Sequence, residues 1–492
     1  MLHNDESENM SDKLIDYRKR VLDTKSKSFC GAKWYNATTW LGSGTTASCH
    51  HPPAQWIDPA EVAADHTAIH NTKHKKEMRR QMQIGERPSE CEYCWKMEDM
   101  TKDNGEDAVS DRVFKSIIYT EEELQKAYER DHNDSVDLKT FEISFDRVCN
   151  LACSYCNASF STTWAKDIKK NGPYENLVSD GAGAFHQDGS WVEPYDNDED
   201  NPYIQAFWKW WDEGLSQSLQ ELRVTGGEPL MSGNTWKLLD WFDGQETDMQ
   251  FAVNSNLIAK DDIITKLIDK TKNIKNFHLY TSAECYGKHQ EYVRDGFVWE
   301  TWTKNLNRMI DEGNCKGVHV MMTINSLCLF SITQFMDEMY KIKEKNMSKS
   351  PSLSLNVLRF PSFQSPLALP NHIKDYLHNI ISNWWKLKKV QPYWHEFEKA
   401  SIERLIDYLV TVDAPHRRTS NPITLYRDFK TFYKQYDERR GKNIKEVFPP
   451  ILTEWMESIP DTDRAVQELA EKEGWIINPP KTNIENPTGT YD

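Results

Sequence analysis

No run of apolar residues in this chain approaches the ~18 that a membrane-spanning helix requires, so insertion into a bilayer is not expected. The opening residues, MLHNDESENMSDK, lack the basic-then-apolar order of a secretory signal. Positive charge is short as well: 60 Lys and Arg against 76 Asp and Glu leave a formal charge of −16. Broad binding to phosphate backbones relies on clustered cations, so nucleic acid is disfavoured as a partner. Without an export signal the chain is expected in the cytoplasm. In that reducing compartment, close-set cysteines mean metal or redox chemistry more often than structural disulfides. What is present is a soluble, globular composition: 492 residues, 38% hydrophobic, 28% charged and rich in aromatics, enough for more than one domain.

From residue 141 the pattern becomes regular. β-rich runs stand at FEISFD (141–146), ELRVT (221–225), MQFAVN (249–254), FHLYTS (277–282), GVHVMMT (317–323) and LSLNVLR (353–359). Segments with helical spacing of apolar residues lie between most of them, such as DDIITKLIDKT and WTKNLNRMIDEG. Alternation of strand and helix implies an α/β fold with parallel strands and right-handed crossovers, either doubly wound or barrel-like, with its site at the carboxyl ends of the strands. More than sixty residues separate Cys156 from the second run, and a Gly- and Asp-rich stretch at about 171–203 reads as an inserted excursion or lid. The expected division is a cysteine-rich region at 1–136, an α/β core at 137–372, a helical region at 373–477 and a flexible tail at 478–492.

The stretch RVCNLACSYCNAS crowds Cys149, Cys153 and Cys156 into eight residues at the end of the first strand. Three soft thiolate donors on one tight loop suit iron–sulfur or zinc ligation. A structural zinc site wants a fourth Cys or His nearby, and the next His, His186, lies inside the excursion. A [4Fe–4S] cluster on three cysteines leaves one iron open.

The segment resembles the CxxxCxxC signature of the radical SAM enzymes, including the aromatic Tyr155 before the last cysteine. The resemblance continues at the next strand end in TGGEPL, where Gly226, Gly227, Glu228 and Pro229 match the GGEP motif that in the family contacts the methionyl amino group of S-adenosylmethionine (SAM). It implies a partial (β/α)6 TIM-type barrel, with SAM filling the open iron. It further implies cofactor contacts from Asn256 in VNSN, Ser282 in YTSAECYG (where Glu284 stands at a position usually Asp), Asn325, Val357 with Pro361 near the adenine, and Arg294 toward the cofactor's carboxylate. The family's activity is reductive cleavage of SAM to a 5′-deoxyadenosyl radical that takes hydrogen from a substrate, with an electron donor such as flavodoxin or ferredoxin.

Four more cysteines, Cys30, Cys49, Cys91 and Cys94, precede the core, the last two as a CxxC and the first two joined by a hairpin-like, Gly-containing turn. They resemble the N-terminal elements of twitch-domain radical SAM proteins, closely in IGERPSECEYC. They depart at Lys33, where a Pro is usual, and at His50, where a second cysteine is usual. The resemblance implies a second [4Fe–4S] cluster, with zinc as the alternative and with Cys49 or His50 as one ligand. It also implies a peptide or protein substrate. The competing function is a non-catalytic zinc- or iron–sulfur-binding interaction protein on a barrel scaffold. Three further expectations are structural. His66, His70 and His74 read as a solvated basic helix face, FWKWW (207–211) as a buried aromatic helix, and Cys285, Cys315 and Cys328 as incidental thiols.

Overall fold

The computed structural model describes residues 10–100, 109–195, 198–410 and 422–472. The expected tail at 478–492 lies outside them. The chain divides into two compact units. Among the described residues, one holds those up to Asp146 together with Glu193–Arg223, and the other Arg147–Val192 together with those from Val224 to Lys472.

In the first unit, β1 (Asn36–Trp40) and β2 (Thr45–Ala47) form the anticipated hairpin, with Thr39 opposite Thr46, and β3 (Gln55–Trp56) pairs antiparallel to β2. The turn between β1 and β2 ends on Gly44 at φ +67°, where a side chain would run into the Tyr203 ring. β1 also runs parallel to β4 (Thr140–Ser144), a pairing not anticipated because NATTW carries no apolar alternation. The helix Pro202–Trp210 buries Phe207 and Trp210, with Phe207 against Phe141 and Phe145, which is the aromatic helix expected for FWKWW.

The expectation for the histidines fails. His66 belongs to a 3-10 turn (His66–Ile69), Thr72 caps a separate helix at Lys73–Gln83, and His70, Lys75 and Arg79 are buried. Their heads are satisfied internally, because Arg79 donates to the Lys33 carbonyl (3.0 Å) and Lys75 to the Thr46 hydroxyl (2.8 Å) and the Ala47 carbonyl (3.3 Å). A cation can be buried when every donor finds an acceptor, a condition that spacing along the chain does not reveal.

The second unit is α/β. It opens with the two-residue β5 (Ala152–Cys153), and after the excursion the chain re-enters it within β6 (Glu221–Thr225). β7 (Gln250–Ser255), β8 (Phe277–Ser282), β10 (Cys315–Ile324) and β11 (Ser352–Val357) run parallel in that order, and β9 (Arg294–Asp295) pairs antiparallel with β5. Crossover helices cover the strands as their periodicity requires. Asp261–Thr271 buries Ile264, Leu267, Ile268 and Thr271, and Trp299–Asp311 buries Trp302, Leu306, Met309 and Ile310, each set at i, i+3/4, i+7/8. The helices from Asn371 onward fall in this unit with the strands.

Within the excursion, residues 172–192 are tied to the helix Pro422–Arg440. Asp428 accepts the backbone N–H groups of Val178 and Ser179, Arg439 donates to the carbonyls of Gly172 and Pro173, and Tyr174 stacks on Phe432 at 5.0 Å. With Tyr174, Leu177 and Phe185 buried, this stretch is a packed strap and not an exposed lid.

Candidate functional site

The CxxxCxxC loop follows Arg147, whose guanidinium donates to the carbonyls of Ala158 and Asp188. β5 places Cys153 directly opposite Arg294, the Cys156 amide donates to the Cys153 carbonyl (2.9 Å), and the Trp164 indole donates to the same carbonyl (2.9 Å). Cys153 is buried while Cys149 and Cys156 are half-buried. Burial and the neighbouring thiol push Cys149 up to about 12, and burial likewise raises Cys153 and Cys156. Such thiols ionise readily only when a cation replaces the proton, as a metal or cluster would.

The GGEP turn lies against this loop. A Cβ on Gly227 would stand 2.5 Å from the Arg147 carbonyl oxygen and closer still to that of Val148, so only glycine permits the approach. The Glu228 amide donates to the Val148 carbonyl at 2.7 Å. Its buried carboxylate is engaged elsewhere, accepting from the Ser255 hydroxyl (2.7 Å), the Asn256 amide (2.7 Å) and the Leu230 amide (3.2 Å). Asn256 in turn donates its side-chain amide to Asn150, between the first two cysteines, and Asn150 donates to the Ile258 carbonyl (2.9 and 2.7 Å). The ends of β6 and β7 are thereby stitched to the cysteine loop, which brings together Cys149, Cys153, Cys156, Gly226, Gly227, Glu228, Pro229 and Asn256.

The remaining anticipated contacts divide. Ser282 ends β8 half-buried, and Val357 ends β11 half-buried opposite Ile324. Asn325 is wholly buried and caps the following turn, its oxygen accepting from the amides of Leu327 and Cys328 at 3.0 Å each. Arg294, expected to meet a cofactor carboxylate, spends Nε and Nη2 on Glu284 (3.0 and 2.9 Å), and the Tyr155 hydroxyl donates to the same carboxylate at 2.9 Å. Sequence reasoning missed Asn150 and Ser255. Their signal was position alone: both are polar residues in a motif loop or at a strand end. Cys285 and Cys328 are fully buried core thiols, as expected.

In the first unit, Cys30, Cys49, Cys91 and Cys94 line one cavity with Lys33 and His51. The segments that carry them are pinned by buried polar groups. Arg112 donates to the Phe29 carbonyl (3.0 Å), Ser116 accepts the Gly31 amide (2.9 Å), and the Trp95 indole donates to Pro88 (2.8 Å). Burial pushes Cys91 and Cys94 up to about 12. His50 stands 3.1 Å from Asp111, and Cys49 but not His50 is among the residues that line the cavity. Among the described residues, the only trio of His, Cys, Asp or Glu whose ligand atoms all lie within 4.8 Å of one another is His50, His51 and Asp111.

No family model and no curated protein matches the chain. Among solved structures it is similar to native anSMEcpe with bound AdoMet and Kp18Cys peptide (12% identity, TM-score 0.29), covering 50% of this chain and 60% of that one. It is also similar to Streptococcus suis SuiB (13% identity, TM-score 0.33), covering 66% of this chain and 67% of that one. The chain thus spans less than two thirds of the length of anSMEcpe. No helix of the described residues is long and apolar enough to cross a membrane.

Proposed function

We propose that this chain is a radical SAM enzyme whose residues 137–372 form a partial (β/α)6 barrel, with Cys149, Cys153 and Cys156 holding a [4Fe–4S] cluster. The observation that carries this reading is the contact of the GGEP turn with the cysteine loop. Gly227 admits the approach, and the Glu228 amide and the Asn256–Asn150 bond secure it. Two motifs far apart along the chain thus present thiols and a glycine backbone at one place. A cluster held by Cys149, Cys153 and Cys156, with SAM bound at it, would supply reductive SAM cleavage and hydrogen abstraction from the substrate. The protein's own part is positional. The three thiols hold the cluster, Glu228 locks the turn so that its backbone is presented, and Ser282, Asn256 and Val357 offer contacts for the cofactor at the strand ends.

We further read Cys30, Cys49, Cys91 and Cys94 as ligands of a second [4Fe–4S] cluster, supported by their common cavity. An electron donor of the flavodoxin or ferredoxin class, a peptide or protein substrate and a cytoplasmic location complete the proposal.

The test is iron and sulfide per chain in anaerobically reconstituted protein, followed by 5′-deoxyadenosine formed from SAM after dithionite reduction. Close to eight irons and product that vanishes in Cys153→Ala are expected. Near four irons with the same activity hands the first-unit cysteines to zinc, whereas zinc without iron or cleavage overturns the function.

A further inference from the structure

The buried pair of Glu284 and Arg294 stands against the cysteine loop. Glu284 is fully buried and Arg294 is 6% exposed. The fork of Arg294 grips Glu284 through Nε and Nη2, which leaves Nη1 directed at Cys153 Sγ, 3.8 Å away. Nothing in this arrangement is accidental to one rotamer. β9 pairs with β5 so that Arg294 is the register partner of Cys153, and the Ser154 amide donates to the Val293 carbonyl at 2.7 Å. On the other side, the backbone amides of Glu284 and Cys285 donate to the Gln290 side chain (3.1 and 2.9 Å), and the Tyr155 hydroxyl donates to Glu284, with the Arg294 guanidinium 5.5 Å from the centre of the Tyr155 ring.

We propose that Arg294 is a positioning and tuning residue for the centre held by Cys149, Cys153 and Cys156, with Glu284 setting how much of its charge that centre feels. The proposal rests on the functional reading above. An N–H aimed at a ligating sulfur, and a positive charge beside it, stabilise the electron-richer reduced cluster and raise its potential. A carboxylate in the same buried place works in the opposite sense, and the low dielectric keeps both effects strong. Two of the three donor positions of Arg294 are already satisfied by an ion pair that is costly to break, because either partner left alone is an uncompensated buried charge.

The experiment is a potentiometric titration of the reconstituted full chain, following the reduced cluster by electron paramagnetic resonance. In Glu284→Gln the opposing charge is gone and the midpoint is expected to rise above wild type. In the double variant E284Q/R294M both charges and the N–H directed at Cys153 are gone, and the midpoint is expected to fall below wild type. Shifts of opposite sign are not produced by a merely structural role, and either variant decides by itself if the other does not fold. Clusters that assemble with unmoved potentials overturn the proposal and leave the enzyme reading standing. An unmoved potential with loss of SAM binding returns Arg294 to the cofactor's carboxylate. A wild-type chain that assembles no iron–sulfur centre overturns the functional reading, and this proposal with it.

Discussion

Gly227 is where one methyl group should do most damage. A Cβ there meets the Arg147 carbonyl oxygen at 2.5 Å and its carbon at 2.6 Å, both backbone atoms that cannot rotate away. To reach the 3.4 Å at which contact becomes ordinary, the GGEP turn must retreat from the cysteine loop by at least 0.9 Å (3.4 − 2.5), and further to clear the still nearer Val148 carbonyl oxygen. That movement stretches the 2.7 Å bond from the Glu228 amide to the Val148 carbonyl beyond useful length. Overpacking of this kind costs about 1–3 kcal/mol, and the bond adds about 1 kcal/mol. Gly227→Ala should therefore lower the melting temperature of the apoprotein by roughly 2–10 °C. More tellingly, it should lose SAM cleavage while all three cysteines remain. Differential scanning calorimetry and 5′-deoxyadenosine release measure the two effects. A G227A protein that melts and turns over like wild type would refute the close approach, and with it the observation on which the function rests.

Two further outcomes follow from buried charge. Lys343 and Glu398 are both fully buried and paired at 2.8 Å, and Glu398 also accepts the Leu353 amide of β11 at 2.7 Å. Lys343→Met should destabilise by about 3–5 kcal/mol in chemical denaturation because Glu398 is left uncompensated, and the double variant K343M/E398L should recover much of the loss. Glu90 is pushed up by burial but held down to about 2 by His74 and Lys33, against an ordinary 4.5. A depressed carboxylate adds stability that is complete above pH 4.5 and is lost as pH falls toward 2. The stability difference between wild type and Glu90→Gln, followed by acid titration, should therefore vanish across that window.

The features legible in the sequence are local ones. The six strand runs from 141 to 359, the helices between them and the hairpin between Cys30 and Cys49 follow from periodicity and turn chemistry that neighbouring residues impose on one another. The cysteine triplet is legible for the same reason, since covalent spacing alone keeps three thiols within one loop. Even the buried aromatic helix at 207–211 announces itself by composition.

The errors and omissions concern residues whose partners lie far along the chain. Asn150 and Asn256 meet across 106 positions, and Asp428 holds the strap at 178–179 from 249 residues or more away. Lys75 and Arg79 look like a solvated face until the carbonyls of Ala47 and Lys33 are brought to them. Which segments become strands and helices, and which loop carries the thiols, is written in the order of the residues, because those choices are made by interactions a few residues long. Which charges are buried, what satisfies them and which polar side chains remain to meet a ligand is settled only on folding, because a hydrogen-bond partner is specified by position in space and not by distance along the chain.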